Sequence, residues 1–183
     1  MKRLSILLAL ILALPGLAWA QRVALDTTMG TIVIELAPQA APKTVANFLE
    51  YVKSGHYNNT VFHRVIGNFM IQGGGYTADL SEKPTRAPIP LESQNGLKNE
   101  RGAVSMARRG DPNSATAQFF INVENNPNLD HPKPDGNGYA VFGKVVEGMD
   151  VVDKIRAVPT AASGVHQNLP TTPVVIKSAR VLK

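Results

Sequence analysis

Between Arg22 and Leu36 apolar and other residues alternate, with Val23 and Leu25 before Met29-Gly30 and Ile32, Ile34 and Leu36 after it. This period of two predicts a hairpin with one buried face. The period then changes. After Pro42, residues Val45, Phe48, Leu49 and Val52 stand at i, i+3, i+4 and i+7, and Gly55 closes the run. The spacing predicts a short amphipathic helix opened by proline and laid on something apolar.

The stretch Val61 to Gly75 predicts two strands and a tight connection. A three-residue turn at Gly67-Asn68-Phe69 pairs Ile66 with Met70, Arg64 with Gln72 and Phe62 with Gly74, all on one face. A two-residue turn at Gly67-Asn68 would set Arg64 opposite Ile71 and send Gln72 to the other side, because a one-residue slip flips every side chain. The first register makes better chemistry. It sets a permanent cation beside an amide able to orient it, on a wall of Phe, Ile and Met.

Downstream, Tyr76 to Glu100 carries Pro84, Pro88 and Pro90 among many polar residues, the pattern of a long loop. Short strands are predicted at Ala103–Ala107, Gln118–Val123, Gly138–Val146 and Val174–Leu182. Loops are predicted at Arg108–Ala117, 124–138 and 159–171. A second helix is predicted from about Glu147, with Val151, Val152, Ile155 and Val158 inward. Phe119 and Phe120 are adjacent, so one must point to the core and the other away. Many short strands, two helices and long loops imply an antiparallel barrel or sandwich whose open ends the helices cover.

Composition sharpens this picture at the N-terminus. Lys2 and Arg3, an apolar run from Leu4 to Leu14, Pro15-Gly16 and Ala18-Trp19-Ala20 make the three parts of a secretory signal. The run falls short of the ~20 residues that span a bilayer. The expected organisation is therefore a signal peptide at residues 1–20 and one domain at 21–183, starting at Gln21. Removing Lys2 and Arg3 leaves 17 Lys+Arg against 14 Asp+Glu, a net charge of +3. That balance is mild and scattered, so nucleic acid is not an expected partner, nor is a membrane once the signal is gone. With no cysteine, an exported chain must be held by its core alone.

Other chemistries find little support. His56, His131 and His166 lack ligand spacing, so no metal and no cofactor is expected. Gly73-Gly74-Gly75 is followed by neither a helix nor Lys-Ser/Thr, so it suits a bulged strand end better than a phosphate loop.

Five separated motifs carry a resemblance: Phe62 to Ile66 through Phe69 to Gly74, Ser105-Met106-Ala107-Arg108, Gln118 to Ile121, and Val141 to Val145. In this order and spacing, from about Val23 to Leu182, the chain resembles the cyclophilins, and with its signal peptide the exported cyclophilins of Gram-negative bacteria. The resemblance implies a mainly β fold, an eight-stranded antiparallel closed barrel capped by two helices. It implies a periplasmic peptidyl-prolyl cis-trans isomerase acting on proline-containing unfolded or partly folded polypeptides, expected as a monomer.

The family's catalytic arginine falls on Arg64, supported by Gln72. Its groove residues fall on His63, Phe69, Met70, Ala107, Arg108, Gln118, Phe120, Leu129 and Tyr139. Asn128 stands where the best-known eukaryotic members have Trp, Tyr139 where they have His, and Asn68 where a Gly usually precedes the groove Phe. The Trp helps hold cyclosporin, so weak cyclosporin binding is expected. Isomerisation needs no proton transfer, which leaves His63 a packing role. Two other readings compete: a proline-peptide binding module or holdase without catalysis, and a small-ligand barrel carrier. Intact Arg64 and Gln72 disfavour the first, and the family's packed barrel the second.

Overall fold

The computed structural model describes residues 21–182. The expected signal at 1–20 lies outside them. Ten strands and two helices follow one another: β1 (Arg22–Thr27), β2 (Gly30–Leu36), α1 (Pro42–Lys53), β3 (Thr60–Ile66), β4 (Met70–Thr77), β5 (Ala103–Met106), β6 (Phe119–Asn122), β7 (Val141–Glu147), α2 (Met149–Arg156), β8 (Thr160–Ser163), β9 (His166–Pro170) and β10 (Val175–Leu182). Eight of the strands close an antiparallel barrel in the order β1-β10-β3-β4-β6-β5-β7-β2. Closure removes the exposed edges that an open sheet would present.

The alternation seen in the sequence is what fills the barrel. Val23, Leu25, Ile32, Ile34, Ile71, Val104, Phe119, Ile121 and Phe142 are all buried in one core. That packing leaves a carrier's ligand nothing to occupy without displacing the core. Helix α1 lays Phe48 on this cluster, its ring 5.2 Å from Tyr57, 5.0 Å from Phe142 and 5.7 Å from Phe119. Aromatic rings tilted or edge-on at such separations add to the area they bury. Helix α2 buries Val151, Val152 and Ile155 as its spacing predicts. It begins after Gly148, whose φ is +86° and whose hypothetical Cβ would collide with the Thr31 carbonyl, so only glycine fits there.

Two expectations need correction. Residues 159–171 are not a plain loop, since β8 and β9 pair there as a separate two-stranded hairpin. All four residues of β8 are exposed, so no alternation marks it. The Phe62–Gly74 pairing is also displaced. Ile66–Met70 and Arg64–Gln72 pair as expected, but irregularities on either side of Phe62 set it opposite Gly73 and turn its ring into the core against Phe119. Elsewhere element ends shift by up to three residues; β7, for instance, starts at Val141 rather than Gly138.

The long segment after β4 lacks regular structure but is tied down. Glu92 accepts from the backbone N–H groups of Lys43 and Thr44 at 3.1 and 2.9 Å, capping α1 from afar. Tyr51 accepts from the Arg86 N–H at 2.8 Å, and Ile89 bridges to Ala115.

Candidate active site

Strand alternation brings Arg64, Met70 and Gln72 to the outer face of β3 and β4 while Val65 and Ile71 enter the core. Arg64 Nη1 donates to Gln72 Oε1 at 3.4 Å and lies 3.7 Å from Met70 Sδ. Gln72 Nε2 donates onward to Gln118 Oε1 at 2.9 Å. The guanidinium is thus oriented by an amide that a second amide holds in turn. Phe69, in the turn, sets its ring centroid 6.0 Å from Arg64 Cζ.

The glycine run makes this close approach possible. Gly74 has φ of +87° and lies against Tyr57 and Phe119, and a Cβ on Gly75 would come within 2.6 Å of the Gln118 side chain. Larger residues there would push Gln118 away from Gln72. Phe120 points outward from β6 and meets Tyr139 edge-on at 5.6 Å. Leu129 is half-buried in a 3₁₀ turn at Pro127–Leu129, and its carbonyl accepts from the Tyr139 N–H at 2.9 Å.

Beside this wall opens a cavity of about 430 Å³, lined by Gln72, Arg86, Ala107, Arg108, Thr116 and Gln118 among others. Arg108 is less free than the sequence suggests. Its Nη2 donates to both oxygens of Asp135 at 2.9 and 2.7 Å, its Nε to the Gly138 carbonyl at 3.0 Å, and its Cζ lies 4.6 Å from the Tyr139 ring centroid. This hydrogen bonding holds the Asp135 carboxyl below its ordinary range.

His63 is buried and contacts Tyr76 and His166, at ring separations of 4.7 and 6.0 Å. Burial pushes its imidazole down to about 4, with His166 a lesser cause. It is therefore neutral at pH 7. The unfolded chain takes up this proton more readily than the folded one, so the stability tied to His63 is complete above about pH 6.5 and declines as pH falls toward 4. Between pH 7.5 and 5 that loss is about 2 kcal/mol. We predict that His63→Gln removes this step from urea-unfolding free energies. A variant with the same pH slope as wild type would sink the assignment.

Of the residues singled out in the sequence, Arg64, Met70, Gln72 and Gln118 are in contact, Phe69 lies beside Arg64, Ala107 and Arg108 line the cavity with Gln72 and Gln118, and Tyr139 joins Phe120 to Leu129. Sequence reasoning missed the groups that hold them. Arg156 Nη1 donates to the Gly67 carbonyl at 3.0 Å, Asp135 clasps Arg108, and Asn126 reaches Phe69. No local pattern marks these partners, because each lies 27 or more residues from the group it serves.

Comparison with known proteins bears on this face. The family model described as cyclophilin type peptidyl-prolyl cis-trans isomerase/CLD matches residues 22–181. A peptidyl-prolyl cis-trans isomerase of Streptomyces antibioticus is 59% identical over 162 residues, covering 87% of this chain and 98% of that one. Peptidyl-prolyl cis-trans isomerase A of Dickeya dadantii is 53% identical over 161 residues, covering 88% and 84%. A crystal structure of a cyclophilin type isomerase from Cryptosporidium parvum, in the presence of the dipeptide Ala-Pro, superposes with a TM-score of 0.74 at 29% identity, covering 89% and 99%.

Proposed function

Because the chain belongs to the cyclophilin-type peptidyl-prolyl cis-trans isomerases, we propose that Arg64 is the group through which it accelerates rotation about X-Pro bonds. The uncatalysed reaction is slow because rotation breaks amide resonance, at a barrier of roughly 18–20 kcal/mol. No covalent bond is made or broken. At the twisted midpoint the prolyl nitrogen recovers its lone pair and becomes an acceptor, which it is not in the planar amide. A donor aimed there stabilises only the transition state, so it raises kcat rather than merely tightening binding.

The observation that carries this reading is the chain of donors from Arg64 to Gln72 to Gln118, set beside the outward-facing Met70 and Phe120. The planar fork of Arg64 is oriented by Gln72. Phe69, Met70, Phe120 and Leu129 grip the pyrrolidine ring. Ala107, the backbone of Arg108 and the side chain of Gln118 hold the flanking peptide, with His63 and Tyr139 closing the ends. A charge-assisted hydrogen bond contributes about 1.5–3 kcal/mol. An acceleration of roughly 10⁴ needs about 5.5 kcal/mol, at 1.36 per decade. The remainder comes from an apolar surround that favours the less polar twisted amide.

The test is NMR exchange between cis and trans forms of a short Ala-Pro peptide with catalytic amounts of residues 21–183. Fast exchange supports this reading. Shifted resonances with unchanged exchange would make the chain a proline-peptide binder or holdase instead.

Its biological setting follows from the N-terminal segment. The charged start, short apolar run and Ala18-Trp19-Ala20 support export to the periplasm with cleavage before Gln21, where the enzyme speeds slow X-Pro steps in folding exported chains as a monomer. N-terminal sequencing and light scattering of periplasmic protein check both points. A chain retaining Met1, or a dimer, counts against them.

Cyclosporin binds weakly on this reading, because exposed Asn128 offers no broad apolar surface on the 3₁₀ turn. We predict that Asn128→Trp tightens cyclosporin by about tenfold or more, or about 1.4 kcal/mol, in calorimetry. Equal affinities for variant and wild type would show that position 128 is not what limits binding.

A further inference from the structure

Two walls of the pyrrolidine pocket come from distant parts of the chain. Phe69 sits in the turn between β3 and β4, and Leu129 sits in the 3₁₀ turn after β6. One residue joins them, through its side chain on one side and its backbone on the other. The Asn126 amide donates to the Phe69 carbonyl and to Asn122 Oδ1, both at 2.8 Å, so both of its donors are engaged. The Asn126 backbone carbonyl accepts from the Leu129 N–H at 2.9 Å, and its N–H donates to the Asn99 carbonyl at 2.8 Å.

The anchors of Asn126 are themselves fixed. Asn122 is fully buried and donates to the Ala103 carbonyl at 3.1 Å. Asn99 donates from its backbone and its side chain to Asp130 Oδ1, at 2.7 and 3.0 Å, one residue beyond Leu129. Among the described residues the Phe69 carbonyl has one other donor, the Val123 N–H at 3.1 Å. Without the Asn126 amide the turn would keep that bond, the Arg156 contact to Gly67 and its own Phe69 N–H to Ile66 carbonyl bond at 2.9 Å, of which only the first two tie it to other segments.

We propose that Asn126 is a positioning residue that fixes the spacing between Phe69 and Leu129, so that the pocket is formed before substrate arrives. It touches no reacting atom and acts through both walls. The proposal rests on the reading of Phe69 and Leu129 as walls of the proline pocket. A preformed pocket grips planar and twisted amide alike, so its loosening costs binding in both states and leaves the step between them little changed. Arg64 acts in the opposite way.

The experiment compares Asn126→Ala, Asn126→Asp and Phe69→Ala for kcat, KM and peptide Kd, with thermal unfolding and the Phe69 carbonyl ¹³C shift measured on each Asn126 variant. Asn126→Ala should raise KM and Kd about tenfold, with kcat within about twofold, and should move the Phe69 carbonyl shift. Asn126→Asp should do at least as much, because its carboxylate faces two oxygens where the amide faced them with hydrogens. A lower melting temperature with KM and Kd unchanged would reduce Asn126 to a structural role and overturn the proposal. So would a fall in kcat at constant KM. Should Phe69→Ala leave KM unchanged, the pocket reading itself fails and the proposal falls with it; a raised KM in Phe69→Ala alone fails only the inference about Asn126.

Discussion

Arg64→Ala is expected to lower kcat by about 100-fold or more while changing peptide affinity by less than about threefold. Removing one preorganised donor from a developing acceptor typically costs 10²–10³ in rate, or about 2.7–4 kcal/mol. The acceptor here exists only while the amide is twisted, so the ground-state complex loses little. Gln72 would stay in place through its bond to Gln118, which keeps the pocket shape and isolates the effect of the missing cation. Arg64→Lys should fall between the two, since an ammonium keeps the charge but lacks the planar fork that Gln72 orients. Exchange NMR measures turnover and titration of the same peptide measures affinity. If both fell together by the same factor, Arg64 would be a binding residue with no special role in the twisted state.

The second large effect separates two neighbours. Phe119→Ala is expected to destabilise the fold by about 3–5 kcal/mol, the usual range for emptying a buried phenylalanine site. Phe119 is fully buried and meets Phe48, Tyr57 and Phe62 edge-on, at 5.7, 5.4 and 6.3 Å. At about 2–4 °C per kcal/mol for a domain of this size, the melting temperature should drop by roughly 10 °C. Phe120→Ala should cost less stability but lower kcat/KM about tenfold or more, because its ring packs on Tyr139 outside the main core cluster, on the face proposed to hold the proline. Urea unfolding and peptide exchange on the two variants decide the matter. The opposite pattern, with Phe120 the stabilising member, would invert the facing of β6.

That contrast also shows how far local pattern reaches. Period two along Val23, Leu25, Ile32 and Ile34 marked the first hairpin, and period 3.6 along Val45, Phe48, Leu49 and Val52 marked α1, because the core-facing residues of each element repeat at its own pitch, although Ala24 and Val33 on the hairpin's other face are buried as well. The Arg64–Gln72 pair was legible only once the three-residue turn was preferred over the two-residue one for the chemistry it makes, since turn length fixes register and register fixes facing. The pattern failed at Phe62, where local irregularity shifts the count and carries the ring inward, and at β8, whose four exposed residues leave no apolar signal.

The sequence by itself determined the shared facing of Arg64 and Gln72, the barrel-and-two-helix class, and a family resemblance spread over five motifs. These are properties of short stretches, where spacing along the chain translates directly into facing. Only the tertiary structure decided what holds the groove in shape. The Asn126 amide on Phe69, Arg156 on Gly67, Asp135 on Arg108 and Glu92 at the head of α1 join segments 27 or more residues apart. A single hydrogen bond across such a separation carries no period and needs no particular neighbour in sequence, so it becomes visible only once the barrel has brought its ends together.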